Sequence, residues 1–136
     1  MAIMLLDTTV ASFLHPKRRN TQQRQAYAKD LEGQLLALSF QTVAELLQWA
    51  EQNQWGEVQR QALERFISKF LVIPYDLELA RVWARVMTLS RTSGRRLESG
   101  DGWIAATAVH RSISLVTHDK DLADLSIPGL KVICHA

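Results

Sequence analysis

Four acidic residues stand where the character of the chain changes. Asp7 closes the apolar run Ala2-Ile3-Met4-Leu5-Leu6, and Glu45 follows closely on the run Leu35 to Phe40. Asp101 precedes the alanine-rich segment Gly102-Trp103-Ile104-Ala105-Ala106, and Asp119 lies just past the run Ile113 to Thr117. Carboxylates gathered in one place repel each other, and a hard divalent cation removes that cost. Mg2+ or Mn2+ suits an all-oxygen donor set, and Mg2+ combines a few carboxylates with waters and substrate phosphate oxygens. The chemistry implied is metal-assisted phosphodiester hydrolysis, with water as nucleophile and the phosphoryl group polarised.

Each acid also has an ordinary reading. Asp7 could cap a helix at Thr8, Asp101 one at Gly102, and Thr42-x-x-Glu45 has the form of a capping box. Asp119 with Asp121 and Asp124 could be a solvated turn. Capping does not explain why all four should fall at one edge of a fold, so the elements that carry them decide the matter.

Short apolar runs at 2–6, 35–40 and 113–117 read as buried strands, 71–73 as a very short strand-like run and 130–133 as a last strand. Between them, Val43, Leu46, Leu47 and Ala50 mark an amphipathic helix, as do Leu63, Phe66, Ile67 and Phe70. Leu79, Trp83 and Val86 mark a third, with Gly94 at or past its end, and a Gln-rich helix is expected near 21–32. Strands alternating with helices predict an α/β fold of three layers, a mainly parallel sheet of about four to five strands flanked by helices. Ligands bind such sheets beyond the carboxyl ends of the strands, where Asp7 and Asp119 would lie. Projected down its helix, Glu45 falls opposite the apolar stripe and on the same face as Thr42.

With 136 residues and a mass of 15.4 kDa, the chain is expected to form a single domain over 1–136. One cysteine, Cys134, cannot build an internal disulfide or a thiolate zinc site. The opening apolar run is too short for a signal peptide or membrane span, so a cytoplasmic protein without membrane contact is expected. No Gly-rich dinucleotide loop and no Walker lysine motif is present, and a second Asp near Asp7, as an aspartyl-phosphate phosphatase would need, is missing.

The ordered segments Leu5-Leu6-Asp7-Thr8, Ser39-x-x-Thr42-x-x-Glu45-Leu46, Asp101-x-x-Ile104-Ala105-Ala106-x-Ala108 and Leu115-Val116-Thr117-x-Asp119-Lys120-Asp121 span nearly the whole chain. Together they resemble the PIN-domain nucleases, especially the VapC-type toxins of bacterial toxin-antitoxin pairs. The resemblance implies a Mg2+- or Mn2+-dependent endoribonuclease, a homodimer, and a small antitoxin that inserts into the active-site groove. It also implies an acidic quartet of Asp7, Glu45, Asp101 and Asp119, with Thr117 as a hydroxyl residue near the metal. Asp121 is a rival for the fourth position, and Asp119 is preferred on the Thr-x-Asp spacing. Two departures stand out: Thr9 replaces a frequent Asn, and Ser112 replaces a frequent Gly before a strand. A fold-retaining module that binds RNA or protein without cleaving is the alternative function.

RNA needs cations around the acids. Lys17, Arg18 and Arg19 with Arg24, and Arg91, Arg95 and Arg96, adjoin the proposed site and are candidates, with an ordinary solvated surface as the other reading. Lys and Arg number 16 against 14 acids; with four acids committed to metal, 10 remain and the formal excess elsewhere is +6. The tryptophans are expected to pack rather than stack on bases, with Trp83 in the core and Trp49 and Trp55 lining a partner or dimer surface. His118 is the only histidine beside the acids, which makes it a candidate substrate contact.

Overall fold

The computed structural model describes residues 1–17 and 21–136. Arg18 and Arg19 of the first basic cluster therefore lie outside the described residues. The strands are β1 (Ile3–Leu6), β2 (Leu35–Ser39), β3 (Leu71–Ile73), β4 (Ser114–Val116) and β5 (Val132–Ile133), all parallel, in the order β3-β2-β1-β4-β5. Helices α1 (Thr8–Phe13), α2 (Thr21–Leu31), α3 (Phe40–Gln52) and α4 (Glu57–Ile67) precede β3 in the chain. Helices α5 (Leu77–Thr92), α6 (Ser99–Arg111) and α7 (Lys120–Ala123) follow it.

The register explains the uninterrupted apolar runs. Leu5 stands opposite Ala37 and Leu115, and Leu6 opposite Leu38 and Val116. Neighbours along a strand face opposite sides. The Leu5 row therefore packs on Leu79, Val86 and Ile104 of α5 and α6, and the Leu6 row on Val10, Tyr27, Leu46 and Leu63 of α1 to α4. All six strand residues in these rows are 0% exposed. Both faces are covered, so no polar alternation is required; each fully buried leucine contributes about 2 kcal/mol.

Small residues set the depth of α6. Ala105, Ala106 and Ala108 are fully buried, and a Cβ on Gly102 would meet Met87 Sδ at 2.3 Å and Trp83 Nε1 at 3.1 Å. That approach lets Trp83 stack on Trp103, with centroids 4.8 Å apart and rings 16° from parallel. Trp83 is thus half-buried against the core.

Several element boundaries differ from the sequence expectation. The second strand stops at Ser39, which caps α3 by accepting from the Thr42 N–H at 3.1 Å; Phe40 already belongs to the helix. Thr42-x-x-Glu45 is therefore no capping box, and Glu45 sits in the second turn. Helix α6 opens at Ser99 behind Glu98, so Asp101 lies inside its first turn and does not cap it. The turn expected after Asp119 is the short helix α7. The final strand covers only Val132–Ile133. Trp55, expected at a surface, is 8% exposed and packs against the buried His15 at 5.9 Å between centroids.

The strand order reverses beside β1, whose neighbours are β2 on one side and β4 on the other. In an open parallel sheet that reversal leaves a crevice at the carboxyl ends of the strands. Asp7 follows β1 and Thr117 follows β4, side by side at its mouth.

Candidate metal centre

Asp7 is fixed more completely than a helix cap requires. Its Oδ1 accepts from the Val10 N–H at 2.8 Å, which caps α1. Its Oδ2 accepts from the Thr117 hydroxyl at 2.5 Å, and the His118 backbone N–H also donates to the carboxylate. The capping reading is thus realised, and the same side chain also ties α1 to the end of β4. Burial raises the Asp7 pKa above its usual value despite these three donors, and nearby Asp119 adds to the rise.

Thr117 is 0% exposed and acts in two directions. Its hydroxyl donates to Asp7 and accepts from the Asp119 N–H at 3.1 Å. Asp119 in turn caps α7 by accepting from the Asp121 N–H at 2.9 Å, and remains exposed. Asp121 points elsewhere: it pairs with Arg95 at 3.5 Å on the surface. Of the two residues, Asp119 is the one tied to Thr117 and through it to Asp7.

Asp101 is the electrostatic centre of the group. Burial, then the charges of Asp119, Glu45, Asp7 and Glu98, push its pKa up to about 6. Asp101 therefore feels the charge of each of the other three acids selected from the sequence. Glu98 is a fifth that the sequence reading missed; it stands in no apolar-run boundary, and only the true start of α6 places it there. Glu45 is half-buried and oriented by Gln41, whose Nε2 donates to Oε1 at 2.9 Å. A Cβ on Gly100 would come within 3.0 Å of Gln41 Nε2 and 3.1 Å of Glu45 Oε1, so glycine makes room for that pair.

Glu45, Glu98 and Asp101 line a groove of about 620 Å³ together with Thr8, Thr9, Gln41, Gln48, Trp49 and Gln52. Of the basic candidates, Arg95 pairs with Asp121, Arg91 and Arg96 line a neighbouring hollow that also contains Glu98, and Lys17 Nζ sits 4.4 Å from the Trp55 ring centroid. Arg24 is used structurally, donating to the Leu14 carbonyl at 2.7 Å near the end of α1. His118 is wedged against Tyr27 and Phe13, with its Nδ1 2.6 Å from the Tyr27 hydroxyl, a part-buried bond that engages one edge of the ring.

The donor set is all oxygen and mutually repulsive, which fits a hard divalent ion. Among the described residues, no three His, Cys, Asp or Glu side chains stand close enough together to hold a metal ion directly. Such an ion would be held by a few carboxylates, with water in the other positions. Among the described residues no helix is long and apolar enough to cross a membrane.

Comparison with known proteins places the chain in a family. The PIN domain family model matches residues 4–128. Toxin FitB of Neisseria gonorrhoeae is 31% identical over 126 residues, covering 86% of this chain and 88% of its own length. Ribonuclease VapC5 of Mycobacterium tuberculosis is 39% identical over 67 residues, about half of each protein (49% and 50%). Among solved structures, VapBC2 from Rickettsia felis bound to a promoter DNA fragment superposes with a TM-score of 0.80 at 20% identity, over 97% of this chain and 98% of that one, a likeness of fold.

Proposed function

The chain belongs to the PIN-domain family, and from that premise we propose that it is a Mg2+- or Mn2+-dependent endoribonuclease, the toxin of a toxin-antitoxin pair. One observation carries the proposal: Asp7, Glu45, Asp101 and Asp119 come from four separate elements to the reversal point of the sheet, where burial and then the charges of Asp119, Glu45 and Asp7 push the Asp101 carboxyl up to about 6. Carboxylates gathered in one place repel one another, and a bound cation relieves that cost. The names of the relatives support the same reading, since one is called a ribonuclease and another a toxin.

In this reading Asp7, Glu45, Asp101 and Asp119 would hold the ion, some directly and the others through its water ligands, and when bound it would polarise the phosphodiester and make water more acidic. The protein's own part is placement. Val10, Thr117 and His118 direct both oxygens of Asp7, Gln41 directs Glu45, and Thr117 ties Asp7 to Asp119. RNA would follow the groove along α3, with phosphates met by Lys17, Arg18, Arg19, Arg95 and Arg96. The protein acts as a homodimer in the cytoplasm and is inhibited by a small antitoxin seated in the groove.

The test is incubation of purified protein with RNA and Mg2+ or Mn2+, beside Asp7→Asn and Asp101→Asn. Cleavage should need the metal, stop with a chelator and fall steeply in both variants. Metal-independent binding without cleavage would instead make the chain a binding module. Growth arrest on expression, relieved by the product of an adjacent small reading frame, tests the toxin assignment separately.

A further inference from the structure

Tyr27 is 1% exposed and lies on α2, outside the acid groove, yet its hydroxyl reaches the turn that carries two of the proposed ligand contacts. It lies 3.1 Å from the Thr117 carbonyl, 2.6 Å from His118 Nδ1 and 3.1 Å from the His135 backbone nitrogen. A phenol has one hydrogen to donate and two lone pairs to accept with. The His135 N–H must donate, the Thr117 carbonyl must accept, and His118 Nδ1–H supplies the remaining hydrogen. The hydroxyl is thus fully used. We infer that Tyr27 is a positioning residue that fixes the Thr117–Asp119 turn and thereby sets the spacing of Asp7 and Asp119 for a divalent cation.

The connection is short. Tyr27 holds the Thr117 carbonyl, and the side chain of that same residue bonds Asp7 on one side and the Asp119 N–H on the other. The imidazole of His118 stands edge-on to both Phe13 (5.2 Å, 82°) and Tyr27 (5.6 Å, 75°), so the turn is gripped by rings as well as by hydrogen bonds. His135 Nε2, 2.6 Å from Asp30 Oδ2, anchors the segment after β5 to the same helix. Without the hydroxyl, the Thr117 carbonyl and the His135 N–H lose their partner, and the turn is free to shift in a region where a small displacement changes ligand spacing. Supporting partners of this kind typically change metal affinity by about tenfold or more.

This inference rests on the reading of Asp7 and Asp119 as metal ligands, and the experiment separates the two. Mn2+ binding is measured by calorimetry without RNA for the wild type, Tyr27→Phe, and a chain ending at Cys134, which removes the His135 N–H but keeps the phenol. Tyr27→Phe keeps the ring packing; its Mn2+ Kd is expected to rise about tenfold. The Mn2+ concentration for half-maximal cleavage should move in parallel, while KM for RNA stays at the wild-type value. The shortened chain should shift the same way, by less, and serves alone if Tyr27→Phe does not fold. Wild-type Mn2+ affinity in both variants would overturn the inference, as would slower cleavage at saturating Mn2+ with unchanged affinity. A wild type that binds no Mn2+ would overturn the ligand reading itself.

Discussion

The Thr117 hydroxyl donates to Asp7 Oδ2 at 2.5 Å, joining residues 110 positions apart. Asp7 is buried, and burial alone would leave its carboxyl protonated over a wider range; this bond works in the opposite direction. Thr117→Val preserves shape but removes the hydroxyl from Asp7 and the acceptor from the Asp119 N–H. RNA cleavage at fixed Mn2+ should fall by about 10- to 100-fold, and Thr117→Ser should retain most of it. Equal rates for wild type and the valine variant would take Thr117 out of the site.

The acid cluster should also make stability depend on pH in an unusual direction. The folded pKa of Asp101, about 6, lies above its ordinary value of 3.8. Between those two values the folded state binds more protons than the unfolded state, so its contribution is present below about pH 4 and is lost as pH rises through about 6. Without metal, the wild-type Tm should therefore decline over this window relative to Asp101→Asn. A thermal melt series settles it: parallel curves for the two proteins would mean that neither burial nor the neighbouring acids raise the Asp101 pKa. Mn2+ binds the ionised form, so the Tm gain on adding it should grow as pH passes 6.

Gly100 has a consequence for activity rather than folding. An added methyl there meets Gln41 Nε2 at 3.0 Å and Glu45 Oε1 at 3.1 Å, both ends of side chains able to yield. Gly100→Ala should leave Tm unchanged or slightly higher, since alanine favours helix by up to about 1 kcal/mol. Cleavage should nevertheless drop, because the pair that yields is the one orienting Glu45. Unchanged cleavage would show that Glu45 needs no such placement.

Ser112 closes α6 with φ +54°, the left-handed conformation that disfavours a side chain. Strain of this sort costs about 1 kcal/mol, and glycine escapes it. Ser112→Gly is expected to raise Tm by about 3 °C with cleavage unaffected, because the turn faces away from the acids into β4. A lower Tm would mean that the serine side chain contributes more than its backbone conformation costs.

The centre of the sheet was readable because its strands are buried on both faces there: Leu5-Leu6 and Leu115-Val116 have no polar partner to interrupt them. Asp7 and Asp119 were readable for a related reason, since each ends or follows such a run. What could not be read is where helices begin. Phe40 looks like the last residue of a strand but is 53% exposed in the first turn of α3, and Ser39, not Thr42, supplies the cap. The same uncertainty at Glu98 hid a fifth carboxylate. Side-chain hydrogen bonds between distant segments leave no periodic trace, so Tyr27 read only as part of a Gln-rich helix. Arg24 looked like a phosphate ligand because its bond to the Leu14 carbonyl depends on how α1 and α2 meet.

The basic surface makes the last prediction quantitative. Arg95 is half-exposed and its ion pair with Asp121 spans 3.5 Å, a contact worth little in water and easily exchanged for phosphate. Arg96 lines the hollow next to Glu98, at the edge of the acid groove. If both arginines meet RNA phosphates, each releases counterions on binding, and the slope of log K against log salt carries about 0.7 per contact on a single strand. Binding is best measured without metal in Asp101→Asn, so that cleavage does not intervene. In that background, changing Arg95 and Arg96 together to alanine should flatten the slope by about 1.4 and weaken affinity most at low salt. Weaker binding with an unchanged slope would mean that the arginines shape the groove without touching phosphate, and the RNA path would then have to run along α3 past Gln48 and Gln52 alone.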